Sequence, residues 1–123
     1  MSATRRGFLA GSAGLLTTLG AAAAPAAGKM PTRTLGKTGL KPTVLGFGCM
    51  LTSDASVIEQ AADIGINWFD TARGYQNGNN ERMVGAALKS RRDKIHVTSK
   101  TQAKSKADAF AHLDKTLSEL QTD

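Results

Sequence analysis

Beyond residue 43 the chain alternates short apolar runs with longer amphipathic stretches, and it does so three times. Val44-Leu45-Gly46-Phe47-Gly48 is an apolar run closed by glycine and too short for a helix, which predicts a strand. From Asp54 to Gly65 the positions Val57, Ile58, Ala61, Ala62 and Ile64 recur at helical spacing, with Gly65 as C-cap. Ile66-Asn67-Trp68-Phe69-Asp70 predicts a second strand. After a polar loop, Asn80 is placed to cap a helix whose inner face is Met83, Val84, Ala87 and Leu88. Ile95-His96-Val97-Thr98 predicts a third strand. Ser105-Lys106-Ala107-Asp108 then forms a capping box opening a helix with Phe110, Leu113, Leu117 and Leu120 on one stripe.

Strand starts near 44, 66 and 95 lie 22 and 29 residues apart, the length that a strand, a helix and two loops occupy. Three βα units imply a parallel sheet, covered by its helices. Ahead of them, Arg33-Thr34-Leu35-Gly36-Lys37-Thr38-Gly39-Leu40-Lys41-Pro42 is two short segments about a Gly-containing turn, which predicts a small hairpin. Three parallel strands leave an open, aggregation-prone edge, and the sequence stops at Leu120-Gln121-Thr122-Asp123 straight after the third helix. The expectation is a truncated piece of a larger α/β domain, since a complete α/β barrel takes about 250 residues.

Residues Met1 to Ala26 read differently. They carry no acidic side chain, begin Thr4-Arg5-Arg6-Gly7-Phe8-Leu9 and continue through a mildly apolar Gly/Ala/Thr-rich run to Ala24-Pro25-Ala26, an A-x-A cleavage pattern. The run is too weakly apolar for a membrane span, which needs about 20 strongly apolar residues. Paired arginines followed by Gly-Phe-Leu resemble the twin-arginine signal, read by export machinery that passes folded proteins, and the expected location is periplasmic or exported. An Ala-rich unstructured tail or an uncleaved anchor would be equally free of acid, but neither accounts for the pattern at Ala26.

With 41% apolar and 21% charged residues the chain has ordinary globular usage, and one cysteine excludes an intramolecular disulfide and a multi-Cys zinc site. No metal is expected. Removing Arg5 and Arg6 lowers the net charge from +6 to +4. The remaining bases fall at turns and helix ends, as in Lys89-Ser90-Arg91-Arg92-Asp93-Lys94, without the aromatic partners of a nucleic-acid reader.

Functional groups of a parallel sheet gather at the carboxyl ends of its strands. Asp70 ends the second strand, Tyr75 lies five residues on, and Lys100 follows the third strand. An ammonium held by a carboxylate favours the phenolate of a nearby tyrosine, so the three together can hand a proton to a carbonyl oxygen. Taken residue by residue, Asp70 could equally cap its loop, Tyr75 could pack on the rim and Lys100 could be solvated.

Gly65-Ile66-Asn67-Trp68-Phe69-Asp70-Thr71-Ala72-Arg73-Gly74-Tyr75, followed by Asn80-Glu81 and Val84-Gly85, resembles the aldo-keto reductase signature. Arg33 to Leu40 and Leu45-Gly46-Phe47-Gly48 are similar to that family's hairpin and first strand, so the likeness runs from about Arg33 to Asp123. The resemblance implies the first three βα units of a (β/α)8 TIM barrel and an NADPH-type nicotinamide cofactor held at the carboxyl ends of the strands without a Rossmann domain. It implies hydride transfer between NADPH and a small carbonyl or alcohol substrate. In this likeness Tyr75 is the general acid, Lys100 the lysine that favours its phenolate and Asp70 that lysine's carboxylate partner. Gly48, Cys49 and Met50, with Asp70 and Lys100, would lie near the cofactor.

The family's fourth catalytic residue is a histidine ending the fourth strand, beyond Asp123. His96 in the third strand and His112 in the third helix do not take its place, so the piece alone is expected to be inactive. Cys49 reads as a small loop or core residue before a nucleophile, because no base lies near it in sequence. The alternative reading is a regulatory or binding protein on the same barrel, like the potassium-channel β-subunit relatives, with a cofactor site and little turnover.

Overall fold

A computed structural model describes residues 29–123. The leader expected at Met1–Ala26 lies outside the described residues. Three strands, β1 (Phe47–Gly48), β2 (Trp68–Asp70) and β3 (His96–Thr98), alternate with three helices, α1 (Ala55–Asp63), α2 (Asn79–Leu88) and α3 (Lys106–Leu120). The sheet order is β1-β2-β3 and both pairings are parallel, with Phe47 opposite Phe69 and Phe69 opposite Val97. Those three side chains share one face by strand alternation. Phe69 is fully buried there, packing with Ile58 and Ala61 of α1 and Val84, Ala87 and Leu88 of α2. Each large side chain removed from water contributes about 1.5–3 kcal/mol, so this helix-covered face holds the sheet.

Local chemistry explains the element ends. The Asp54 carboxylate accepts from the Ser56 amide to start α1. At the other end Gly65, at φ +96°, takes the left-handed position. There Gly65 N–H donates to Ala62 O and Ile66 N–H to Ala61 O, the paired bonds of a Schellman stop. Ser105 caps α3 by accepting from the Asp108 amide. The expected hairpin is present: Arg33 N–H donates to Pro42 O and Leu35 N–H to Leu40 O, around left-handed Gly36 and Gly39. Asn67 joins it to the amino end of the sheet, accepting from Thr43 N–H and donating to Lys41 O.

Some expectations shift. Val44 and Leu45 are more than half exposed and the first strand begins at Phe47. Val57 and Ile64 face outward, leaving Ile58 and Ala61 as the buried positions of α1. On α3 Phe110 and Leu113 are about half exposed, and among the described residues only Leu120 of the stripe is buried. Asn80 is not the cap: α2 starts at Asn79 behind a left-handed Gly78, and the Asn80 side chain turns into the interior.

Candidate active site

The parallel register sets Gly48, Asp70 and Thr98 side by side at the carboxyl edge of the sheet. Beyond it the loops continue as neighbours, with Thr71 N–H donating to Thr98 O and Arg73 N–H to Lys100 O. That pairing delivers the Lys100 side chain onto Asp70. Lys100 Nζ lies 2.6 and 2.7 Å from the two carboxylate oxygens and donates to Thr71 O at 2.8 Å. Thr98 Oγ1 donates to the same Asp70 Oδ2 at 3.0 Å, a second donor that fixes the carboxylate. Lys100 Nζ also stands 5.1 Å from the centre of the Tyr75 ring. Partial burial pulls the Lys100 pKa down, but Asp70 and Tyr75 outweigh it and hold it above the ordinary lysine value. The three residues singled out from the sequence are thus brought together.

The backbone after Tyr75 is unusual. Gln76 and Asn77 have φ of 50° and 55° and Gly78 has 86°, three successive left-handed residues that turn the chain back into α2. Left-handed backbone is costly for side-chain-bearing residues. Gln76 is held by its amide, which donates to Thr52 O.

The other expected cofactor residues separate into two kinds. Gly48 is exposed, an added Cβ there would meet no atom within 4 Å, and Met50 is half exposed. Cys49 is fully buried in the core, its N–H donates to Asp70 O, and its carbonyl accepts from Asn80 Nδ2 and Thr52 N–H. No Cys49 group is left facing outward. Burial, aided by the Asp70 charge, pushes its thiol up to about 12, the opposite of an activated nucleophile. His96 of β3 is half-buried against Trp68 of β2, and His112, half-buried on α3, pairs through Nδ1 with Thr101 Oγ1 at 2.6 Å.

Sequence reasoning missed a buried charge cluster behind Tyr75. Arg73 bonds both Glu81 and Glu119, and Glu81, with no exposed surface, also accepts from Ser99 Oγ and Thr116 Oγ1. The Glu119 carboxylate raises the Arg73 pKa, and in return Arg73 holds Glu119 below the usual carboxylate range. Arg73 and Glu119 are 46 positions apart, and no local pattern links them. The only available signal was Asn80-Glu81 within the recognised motif.

A helix-covered parallel sheet that gathers a carboxylate, an ammonium and a phenol at its carboxyl edge defines part of an α/β barrel with polar chemistry at the strand ends. The chain belongs to the aldo/keto reductase family, whose model matches residues 49–123. It is 37% identical over 76 residues to an uncharacterized oxidoreductase of Bacillus subtilis, covering 58% of this chain and 25% of that protein. Over 69 residues it is 41% identical to a putative voltage-gated potassium channel subunit beta of Schizosaccharomyces pombe, covering 49% of this chain and 20% of the other. The holo form of an aldo-keto reductase from Bacillus halodurans superposes with a TM-score of 0.69 at 36% identity, covering 76% of this chain and 37% of that one. An aldo-keto reductase from Klebsiella pneumoniae in complex with NADPH gives a TM-score of 0.63 at 26% identity, covering 76% and 36%. The chain spans about a quarter of the length of the curated relatives it matches. Its fold is the amino-terminal βα portion of the (β/α)8 barrel.

Proposed function

We propose that the protein of which this chain forms part reduces a carbonyl, or oxidises an alcohol, by hydride transfer with NADPH. The observation that carries this reading is the convergence of Lys100 on Asp70 and Tyr75. The cofactor is supported by the NADPH complex of the Klebsiella relative and by the half-exposed ammonium and carboxylate at the strand ends. An added Cβ at Gly48 would meet no atom within 4 Å, and Met50, Asp70 and Lys100 are each about half exposed, so this edge offers an accessible carboxylate and ammonium to a polar ligand. Gly48, Met50, Asp70 and Lys100 are the residues that would hold it, with Cys49 packing beneath them.

The nicotinamide, when bound, supplies the hydride to the carbonyl carbon. Tyr75 Oη holds the proton that goes to the carbonyl oxygen, completing the alcohol. Lys100, pinned by Asp70, keeps a positive charge next to the phenolate left behind, and Asp70 fixes where that ammonium stands. Tyr75→Phe in the whole protein should lower kcat by about 10²–10⁴-fold with NADPH affinity kept. Parent-like turnover in that variant would refute the assignment. A second reading, a channel-subunit-like binding role with slow chemistry, is favoured by the Schizosaccharomyces relative. It predicts NADPH binding with little substrate turnover in the parent itself.

Residues Met1 to Ala26 are proposed to be a twin-arginine-type signal that exports the folded protein. Replacing Arg5 and Arg6 by Lys in a reporter fusion should abolish export, and continued export would remove this part of the proposal.

A further inference from the structure

Asn80 and Glu81 stand in the first turn of α2 without capping it, have no exposed surface, and take no part in the chemistry above. We infer that this dipeptide is the positioning element that sets the spacing of the three strand-end loops, with Glu81 holding the Tyr75 loop against the Lys100 loop. Its role in turnover rests on the proton-donor reading of Tyr75.

Each side chain joins different loops. Asn80 Oδ1 accepts from Thr71 Oγ1 at 2.6 Å, and its Nδ2 donates to Cys49 O at 2.9 Å, tying the loop after β2 to the loop after β1. Glu81 Oε2 bonds Arg73, two residues before Tyr75, whereas Oε1 accepts from Ser99, the residue before Lys100, at 2.6 Å. Thr116 of α3 donates to the same oxygen at 2.8 Å, and Glu119 of the same helix accepts from the Arg73 nitrogen, Nη1, that also bonds Glu81. A buried carboxylate with this donor set is specific in geometry, since its two oxygens serve three side chains from three different segments. The apolar anchoring of α2 comes from Val84, Ala87 and Leu88 further along the helix, so the polar pair at its head is spare as a packing device. What it fixes is the distance between the segments that carry the phenol and the ammonium. Displacements of about 1 Å at such a pair cost up to about 10²-fold in rate.

The test uses Glu81→Gln, which keeps the shape but replaces one acceptor oxygen with a donor facing Arg73, and Ser99→Ala as a milder change. Amide exchange is read first. The Arg73 amide, which bonds Lys100 O, should exchange at least about tenfold faster in both variants while the α1 amides stay at parent rates. In the whole protein kcat should fall about tenfold with the KM for NADPH unchanged. That loss should vanish in a Tyr75→Phe background, because a residue acting through Tyr75 then has nothing left to position. Unchanged exchange at Arg73, or faster exchange spread equally over α1, overturns the inference. So does an undiminished kcat loss in the Tyr75→Phe background. If Tyr75→Phe alone keeps parent turnover, the proton-donor reading fails instead, and the exchange result still decides whether Glu81 spaces the loops.

Discussion

Gly85 sits where α2 crosses α3, and replacing it with alanine tests the packing directly. A Cβ at this position would lie 2.5 Å from Glu119 O and 2.8 Å from both Leu120 C and Leu120 Cα. All three are backbone atoms of the neighbouring helix end, so no side chain can rotate aside, and α3 must move by most of an ångström to restore normal contact. Overpacking of this kind costs about 1–3 kcal/mol. Alanine regains about 1 kcal/mol of helix propensity over glycine, but the backbone clash puts the steric cost at the upper end. The net expectation is a loss of about 2 kcal/mol, or roughly 10 °C in midpoint for a domain of this size. Urea unfolding followed by the fluorescence of Trp68, the one tryptophan, measures it. Gly48→Ala is the control: its Cβ meets nothing within 4 Å, so it should stay within about 0.5 kcal/mol of the parent. A Gly85→Ala protein as stable as the parent would refute the close approach of the two helices and, with it, the placement of Glu119 beside Arg73.

Three further outcomes follow from the same structure. The Cys49 thiol, buried and pushed up to about 12, should resist iodoacetamide at pH 8 until denaturant is added; native-state labelling at the unfolded rate would contradict its burial. Arg73 holds the Glu119 carboxyl below its unfolded value, so the stability it lends is present above the carboxylate range and lost as pH falls through it. Glu119→Gln should therefore flatten the acid limb of a urea-midpoint profile between pH 7 and 3, and an unaltered limb would show that this group contributes nothing. Gly65→Ala forces a side chain onto a φ of +96° and should destabilise by about 1 kcal/mol or more in the same urea assay; a neutral result would contradict the left-handed stop of α1.

The three βα units and the hairpin were legible because each rests on local periodicity: the α1 stop at Gly65 and the Ser105 cap follow from single residues and their neighbours. The apolar pattern places strand starts up to three residues early: Val44 and Leu45 are as apolar as a strand residue, but Val44 N–H pairs with Pro31 O beside the hairpin, and the pairing with β2 begins at Phe47. Asparagine favours the cap position, which points to Asn80, whereas Gly78 adopts the left-handed turn and frees Asn80 for the interior. The Asp70, Tyr75 and Lys100 cluster was visible through strand-end placement and family likeness together. The charges behind it were not, because Arg73, Glu81, Ser99, Thr116 and Glu119 meet only once four separate segments have packed.

The strands themselves are only two or three residues long, so the ladder between them supplies few bonds. Most of the polar ties lie past the carboxyl ends, where Lys100 grips Asp70 and Thr71, Asn80 grips Thr71 and Cys49, and Glu81 grips Ser99. At the amino end, Asn67 is the chief polar tie, to Thr43 and Lys41 of the hairpin. Stiffness in this sheet is therefore graded along the strand axis, greatest at the rim that carries Tyr75 and Lys100. Substitutions near the hairpin can loosen the far end while that rim keeps its shape, which gives the sequence freedom to vary on one side of the sheet without disturbing the other.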